Sequence, residues 1–244
     1  MNILITGASS GIGKSLAFHL VKSGHKVWGL ARRGELLAKL KDELNSENFF
    51  YSVCDVSVHD NVLKIAEEMK EKKFTLDAII LNAAIFPNDI SPQYNHQLFE
   101  KTFAINFHGA MAFVGVFLGA FFRRGCGHFI AICSTTAFRP SDRGVGYPAS
   151  KTALAMTFRG MNLAYHDKNV IFSTVYLGPV STAMWEGKNS FLVSSADKVA
   201  AFIAKVMRTR KPTYYFPFFS TSLFRLSLFL PDRLYLKMTK TLLK

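Results

Sequence analysis

The chain of 244 residues is poor in cysteine, with 3, and in acid, with 17 Asp and Glu against 30 Lys and Arg. The odd trio Cys54, Cys126 and Cys133 lies in apolar strand-like runs. It offers no Cys-x-x-Cys or Cys/His spacing for zinc, and it predicts reduced core thiols, a cytoplasmic setting and no metal. There is no internal repeat or low-complexity tract, and 49% hydrophobic with 19% charged residues excludes a disordered chain. The start, "MNILITGASSGIG", lacks a basic region, a long apolar stretch and a cleavage site, so nothing in it predicts secretion.

The shortage of acid is confined to one part. Residues 1–100 hold 11 Lys/Arg against 12 Asp/Glu, whereas residues 101–244 hold 19 against 5. Such asymmetry predicts an anionic partner, nucleic acid or an anionic membrane surface, unless it marks only a solvated basic face. No nucleic-acid motif accompanies it, and no nucleic-acid partner is expected.

What is present is an alternation. Strand-like runs ("NILIT", "HKVWGLA", "FFYSV", "LDAIILN", "GHFIAIC", "VIFSTVY") are separated by segments of helical period. That order predicts an α/β fold, a doubly wound parallel sheet covered on both faces, with its ligand site at the carboxyl ends of the strands where their order reverses. The first run ends in Thr6-Gly7-Ala8-Ser9-Ser10-Gly11-Ile12-Gly13, with a helix after it. A strand, glycine turn and helix let backbone approach a pyrophosphate at a helix N-terminus, although Gly-x-x-x-Gly-x-Gly departs from the Gly-x-Gly-x-x-Gly form. The second run ends "GLARRGE", with Ala31 where a ribose-binding acid is expected and Arg32 and Arg33 after it. Two guanidinium groups suit a 2′-phosphate, so NADP(H) is expected in preference to NAD(H).

With the glycine loop, "LNAA", "ICST" and "YPASK" in order, residues 1–217 resemble the short-chain dehydrogenase/reductase family. The resemblance implies one Rossmann domain with about seven parallel strands, and an oxidoreductase interconverting carbonyl and alcohol. It implies that Gly7, Ser9, Ser10, Gly11, Ile12 and Gly13 form the cofactor loop, that Asp55 and Val56 meet the adenine end, and that Asn82 and Ala83 flank the cofactor. Pro179, Val180 and Thr182 in "LGPVST" would meet the nicotinamide, and Asn106, Ser134, Tyr147 and Lys151 match the catalytic tetrad. Leu81-Asn82-Ala83-Ala84 stands where the family usually has Asn-Asn-Ala-Gly, which adds a methyl beside the cofactor path.

The chemistry explains the pairing of Tyr147 with Lys151. A phenol with an ordinary pKa near ~10 is a poor acid near neutrality. Lys151 lies one helical turn beyond it, on the same face, and its charge is expected to lower the tyrosine pKa. Ser134 is expected to hydrogen-bond the substrate oxygen, and Asn106 to hold a water that returns protons to Lys151. Met184, Trp185, Phe191 and Leu192 suggest a lid over an apolar substrate, lipid-like, steroid-like or long-chain. The competing reading is an NADP(H)-sensing binding protein of the same fold without significant turnover.

Two apolar segments remain. Residues 102–122 carry no formal charge and contain Gly115-x-x-x-Gly119, but they also hold Asn106 and His108 and lie between two strands. A helix buried on one side and packed against another subunit is expected there, with His108 buried or interfacial, in a homo-oligomer (dimer or tetramer). Residues 218–244 follow a strand expected at about 213–217 and mix Phe224, Leu226, Leu228, Phe229, Leu230 and Tyr235 with Arg225, Arg233, Lys237, Lys240 and Lys244. This tail is expected to meet an anionic membrane surface, cover the cleft or form a subunit contact.

Overall fold

The computed structural model describes residues 1–139, 144–182, 184, 193–235 and 237. Strand β1 (Asn2–Thr6) leads through the glycine turn into α1 (Gly11–Lys22), followed by β2 (Lys26–Ala31), α2 (Gly34–Leu44), β3 (Phe49–Val53), α3 (His59–Glu71) and β4 (Ala78–Leu81). The second half runs α4 (His96–Phe103), α5 (Gly109–Arg124), β5 (Gly127–Ser134), α6 (Gly146–Ala164) and β6 (Val170–Leu177). A short pair, β7 (Val180–Ser181) and β8 (Ser194–Ser195), precedes α7 (Ala196–Thr209), β9 (Thr213–Phe216) and α8 (Phe218–Leu226).

The main sheet has seven strands in the order β3-β2-β1-β4-β5-β6-β9, all pairs parallel. Strand order reverses between β1 and β4, and in a doubly wound sheet a crevice opens at that point. Every expected strand is present: the inner strands, buried on both faces, read as continuous apolar runs, and the edge strands β3 and β9 are rich in aromatic residues. Successive side chains alternate between two cores. Ile3, Ile5, Ile80, Ile130 and Ile132 join α1 and α7 on one face, while Leu4, Ile79, Leu81, Phe129 and Ala131 join Phe113, Phe117, Phe121 and Phe158 on the other.

The long apolar segment lies within one helical run, His96–Arg124, long and apolar enough to cross a membrane by length and composition. Here it packs on the sheet: Phe113, Val114, Phe117 and Phe121 are buried, and Gly115 and Gly119 face outward. Two expectations are corrected. Of the two places expected for His108, buried or interfacial, the first is ruled out: at the end of the π turn Ala104–His108 it is exposed on the chain. Cys126 is only partly buried, since it follows the left-handed Gly125 that ends α5; Cys54 and Cys133 are buried thiols as expected.

Candidate active site

A cleft of about 320 Å³ opens at the carboxyl ends of β1, β4, β5 and β6, and it gathers most of the residues singled out in the sequence. Gly7, Ser9, Ser10, Gly11 and Ile12 form one end with Arg32, Arg33, Asp55 and Val56; Asn82, Ala83, Ser134, Tyr147, Lys151, Pro179, Val180, Thr182 and Met184 form the rest. Trp185, Phe191 and Leu192 lie outside the described residues.

The glycine turn is shaped by sterics. Gly7 and Gly11 have φ of +71° and +53°, a region that L side chains rarely enter. Gly13 stands behind the turn, where a Cβ would come within 2.1 Å of the Gly7 carbonyl oxygen, so helix and turn approach as only glycine permits. Asn82 fastens this turn to the end of β4. Its Nδ2 donates to the Thr6 and Gly7 carbonyls at 3.0 and 3.3 Å, and the amides of Asn82 and Ala83 both donate to Thr6 Oγ1 at 3.0 Å. Ala84 lies in the cleft wall without a positive φ, so the methyl in place of glycine forces no backbone strain.

Helix α1 has no acid in its first turn, and the Ser10 hydroxyl at its N-cap makes no capping bond. Arg33 instead reaches across and donates to the hydroxyls of Ser9 and Ser10 at 3.3 and 3.1 Å. Exposed N–H groups, the helix dipole and two guanidinium groups make this end of the cleft fit for phosphate. At Asp55, burial opposes ionisation, but hydrogen bonds from Ser57 and the charges of Arg32 and Lys101 outweigh it and hold the carboxyl below the usual range. One carboxylate oxygen is engaged by the Ser57 amide and hydroxyl at 3.0 and 2.7 Å, leaving the other for a ligand.

The other end holds three of the four residues expected to form a tetrad, Ser134, Tyr147 and Lys151, while buried Asn106 does not line the cleft. Ser134 closes β5, Tyr147 and Lys151 lie on α6, and Asn106 sits in the π turn. Burial pushes the Tyr147 phenol up to about 12, a hydrogen bond with Ser134 works against this, and the neighbouring Cys133 thiol adds to the rise. Lys151 is not among the causes of that shift. Its ammonium donates to the Ile132 carbonyl at 2.7 Å and stands 5.8 Å from the centre of the Tyr147 ring, and burial also lowers its own pKa. Desolvation is the largest cause at both groups.

Asn106 is buried. Its Oδ1 accepts from the Ile85 amide at 2.8 Å, and its Nδ2 donates to the Ile85 carbonyl and Ser150 Oγ at 3.0 and 3.1 Å, so its side chain ties the β4 loop to α6.

Two residues escaped the sequence reading. The Phe86 ring stacks on Tyr147, with centroids 4.4 Å apart. Buried Asp89 accepts from the Val145 and Gly146 amides, both at 2.7 Å, at the start of α6. Both follow β4 in a loop with no regular period, and only the aromatic and the acid in "AIFPND" could have drawn attention.

Comparison with known proteins agrees with this geometry. A profile of the short chain dehydrogenase family matches residues 1–192. L-xylulose reductase of Caenorhabditis elegans is 32% identical over 185 residues, 75% of this chain and 72% of the relative. A hydroxysteroid 11-beta-dehydrogenase 1-like protein of Xenopus tropicalis is 28% identical over 232 residues, 89% of this chain and 79% of the relative. Among solved structures, serine dehydrogenase complexed with NADP+ superposes with a TM-score of 0.80 at 21% identity, covering 88% of this chain and 94% of that one. Parallel sheet, glycine turn, tetrad and profile agree, and the chain belongs to the short-chain dehydrogenase family, oxidoreductases that use nicotinamide cofactors.

Proposed function

We propose that the protein interconverts a carbonyl and an alcohol on an apolar substrate and uses NADP(H) in preference to NAD(H). The single observation that carries the reading is the convergence of Ser134, Tyr147 and Lys151 on one cleft whose other end presents Arg32 and Arg33. The glycine turn, the bare N-terminus of α1 and the free oxygen of Asp55 would hold the dinucleotide, with the arginines toward its 2′-phosphate. When bound, the reduced cofactor supplies a hydride to the carbonyl carbon. Tyr147 gives its Oη proton to the oxygen as the C–O π bond breaks, and Ser134 orients that oxygen through its hydroxyl. Burial keeps the phenol protonated, so the proton to be transferred is in place, and the hydrogen bond with Ser134 works against the rise that makes it a weaker acid. Lys151 and Asn106 act by position, fixing β5 against α6 and α6 against the β4 loop.

The names of the two relatives point to a sugar and to a steroid. Ile85, Phe86, Leu177 and Met184 along this cleft favour the apolar class. The outward Gly115 and Gly119 of α5 suit close approach of a second copy, in keeping with a homo-oligomer.

The test is turnover of long-chain and steroid ketones, with xylulose as the polar contrast, using NADPH and NADH. Tyr147→Phe should cut turnover by about 100-fold or more and spare cofactor binding. Equal affinity for the two cofactors would refute the NADP(H) preference. NADPH binding without turnover of any carbonyl would favour the sensing reading.

A further inference from the structure

A surface helix on a soluble protein ordinarily turns its apolar stripe inward. Helix α8 does the reverse. Its buried positions are Ser220 and Thr221, with Ser227 in the turn that follows, while Phe219, Leu223 and Leu226, spaced i, i+4, i+7, face outward. Phe219 is 83% exposed and Phe229 86%, so two whole phenyl rings stand in water. Phe224 is only partly buried by its neighbours, and Tyr235 turns inward, contrary to the expectation that both belong to the outward set.

The core holds this posture in place. Arg139 donates to the carbonyls of Ser227, at 3.0 Å from Nε, and Leu230, pairs with Asp232, and lies 5.0 Å from the Tyr235 ring. The one acid of the tail is thereby neutralised from within. Among the described residues, Arg225 and Arg233 are exposed and in no ion pair, so the apolar face carries uncompensated positive charge.

That charge decides the occupant. A second copy meeting this face about a twofold axis would set like charges against each other on a chain of net charge +13. Exposed phenylalanine and leucine bordered by arginine instead match the boundary between acyl chains and anionic headgroups. Helix α8 also adjoins the cleft: it packs on the turn Thr135–Ala137 after Ser134, and a Cβ on Gly178 would stand 3.7 Å from Ser220 Oγ.

We propose that Phe218, Phe219, Leu223, Leu226 and Phe229 seat the protein on an anionic lipid surface, with Arg225 and Arg233 at the headgroups, and that the cleft takes an apolar carbonyl or alcohol dissolved in that surface. The second clause rests on the oxidoreductase reading above; the first does not. The test sediments the full chain with vesicles of phosphatidylcholine, alone or mixed with phosphatidylserine. Wild type should bind the mixed vesicles and release them as salt rises. Phe219→Ser with Leu223→Ser should weaken binding by more than about tenfold, Arg233→Gln should weaken it less, and Tyr147→Phe should leave it unchanged.

With a long-chain ketone carried in the mixed vesicles, the double variant should lose turnover, while turnover of a water-soluble ketone stays as in wild type. Wild type left in the supernatant overturns the proposal. So does a double variant that binds vesicles normally but sediments as a smaller oligomer, which would assign the face to a second copy. Vesicle binding with no turnover of any carbonyl would sustain the membrane face and remove the catalytic reading.

Discussion

At the scale of single residues, the chain's chemistry is written plainly but its electrostatics is not. Tyr147 and Lys151 announce themselves by spacing, whereas the turn of the ammonium to the Ile132 carbonyl depends on a strand that lies about 20 residues earlier and is visible only once the chain is folded. His128 makes the same point at the opposite end of β5. Burial pushes its imidazole from 6.5 down to about 3, with the Arg210 charge adding to the shift. Ser173 Oγ donates to the Lys211 carbonyl at 2.6 Å and so accepts from His128 Nε2 at 2.7 Å, leaving Nδ1 without a partner among the described residues. A second proton would have to sit there, in the core.

The folded pKa lies below the unfolded one. The contribution of His128 to stability is therefore complete above pH 6.5 and disappears as pH falls toward 3, at about 1.4 kcal/mol per pH unit. Denaturant titrations between about pH 6 and pH 4 should show a steeper loss for wild type than for His128→Gln. Parallel slopes would take His128 out of the acid sensitivity.

At the scale of elements, strands and most helices were legible because apolar runs and 3.6-residue periods are local properties. The π turn at Ala104–His108 was not, since nothing in "AINFH" distinguishes it from the α-helix on either side. Nor was the start of α6, where a carboxylate from 57 residues away replaces a local cap: Val145 at the N-cap offers no side-chain acceptor, and Asp89 takes the first two amides. Gly146 makes room for it, since a Cβ there would stand 2.6 Å from Asp89 Oδ2.

Because Tyr147 is the next residue, Asp89 is a positioning residue for the phenol. Asp89→Ala should cost about 2–3 kcal/mol of stability, the worth of two charge-assisted bonds to buried amides. Turnover should fall by more than NADPH affinity does, because the cofactor loop lies on the other half of the cleft. Chemical denaturation together with separate kcat and cofactor Kd measurements checks this, and equal losses in both would make Asp89 merely structural.

At the scale of the whole molecule, the sequence displayed a basic, aromatic tail but not which way it faces, because inversion of α8 is set by Arg139 and by the small polar residues that fit beside Gly178. It also concealed how the two ends of the chain depend on each other. Helix α7 buries Val199, Ile203 and Val206 in the same cluster as Leu16, Ala17 and Leu20 of α1, so the helix that follows the glycine turn is backed by one from the far end of the sequence. Ile203→Ala should cost about 3 kcal/mol and weaken NADPH binding even though Ile203 touches no part of the cleft. Unchanged cofactor affinity in the folded variant would break that link.

The same packing sets an order of events on the ribosome. Helix α1 can rest on β1, β2 and α2 as soon as they have emerged, yet the part of its face that α7 covers stays open until that helix follows about 175 residues later, roughly 9–35 s at 5–20 residues per second. Throughout that interval the side of α1 that receives Val199, Ile203 and Val206 lacks its cover, a place for a chaperone to hold, and the glycine turn lacks the backing that cofactor capture needs.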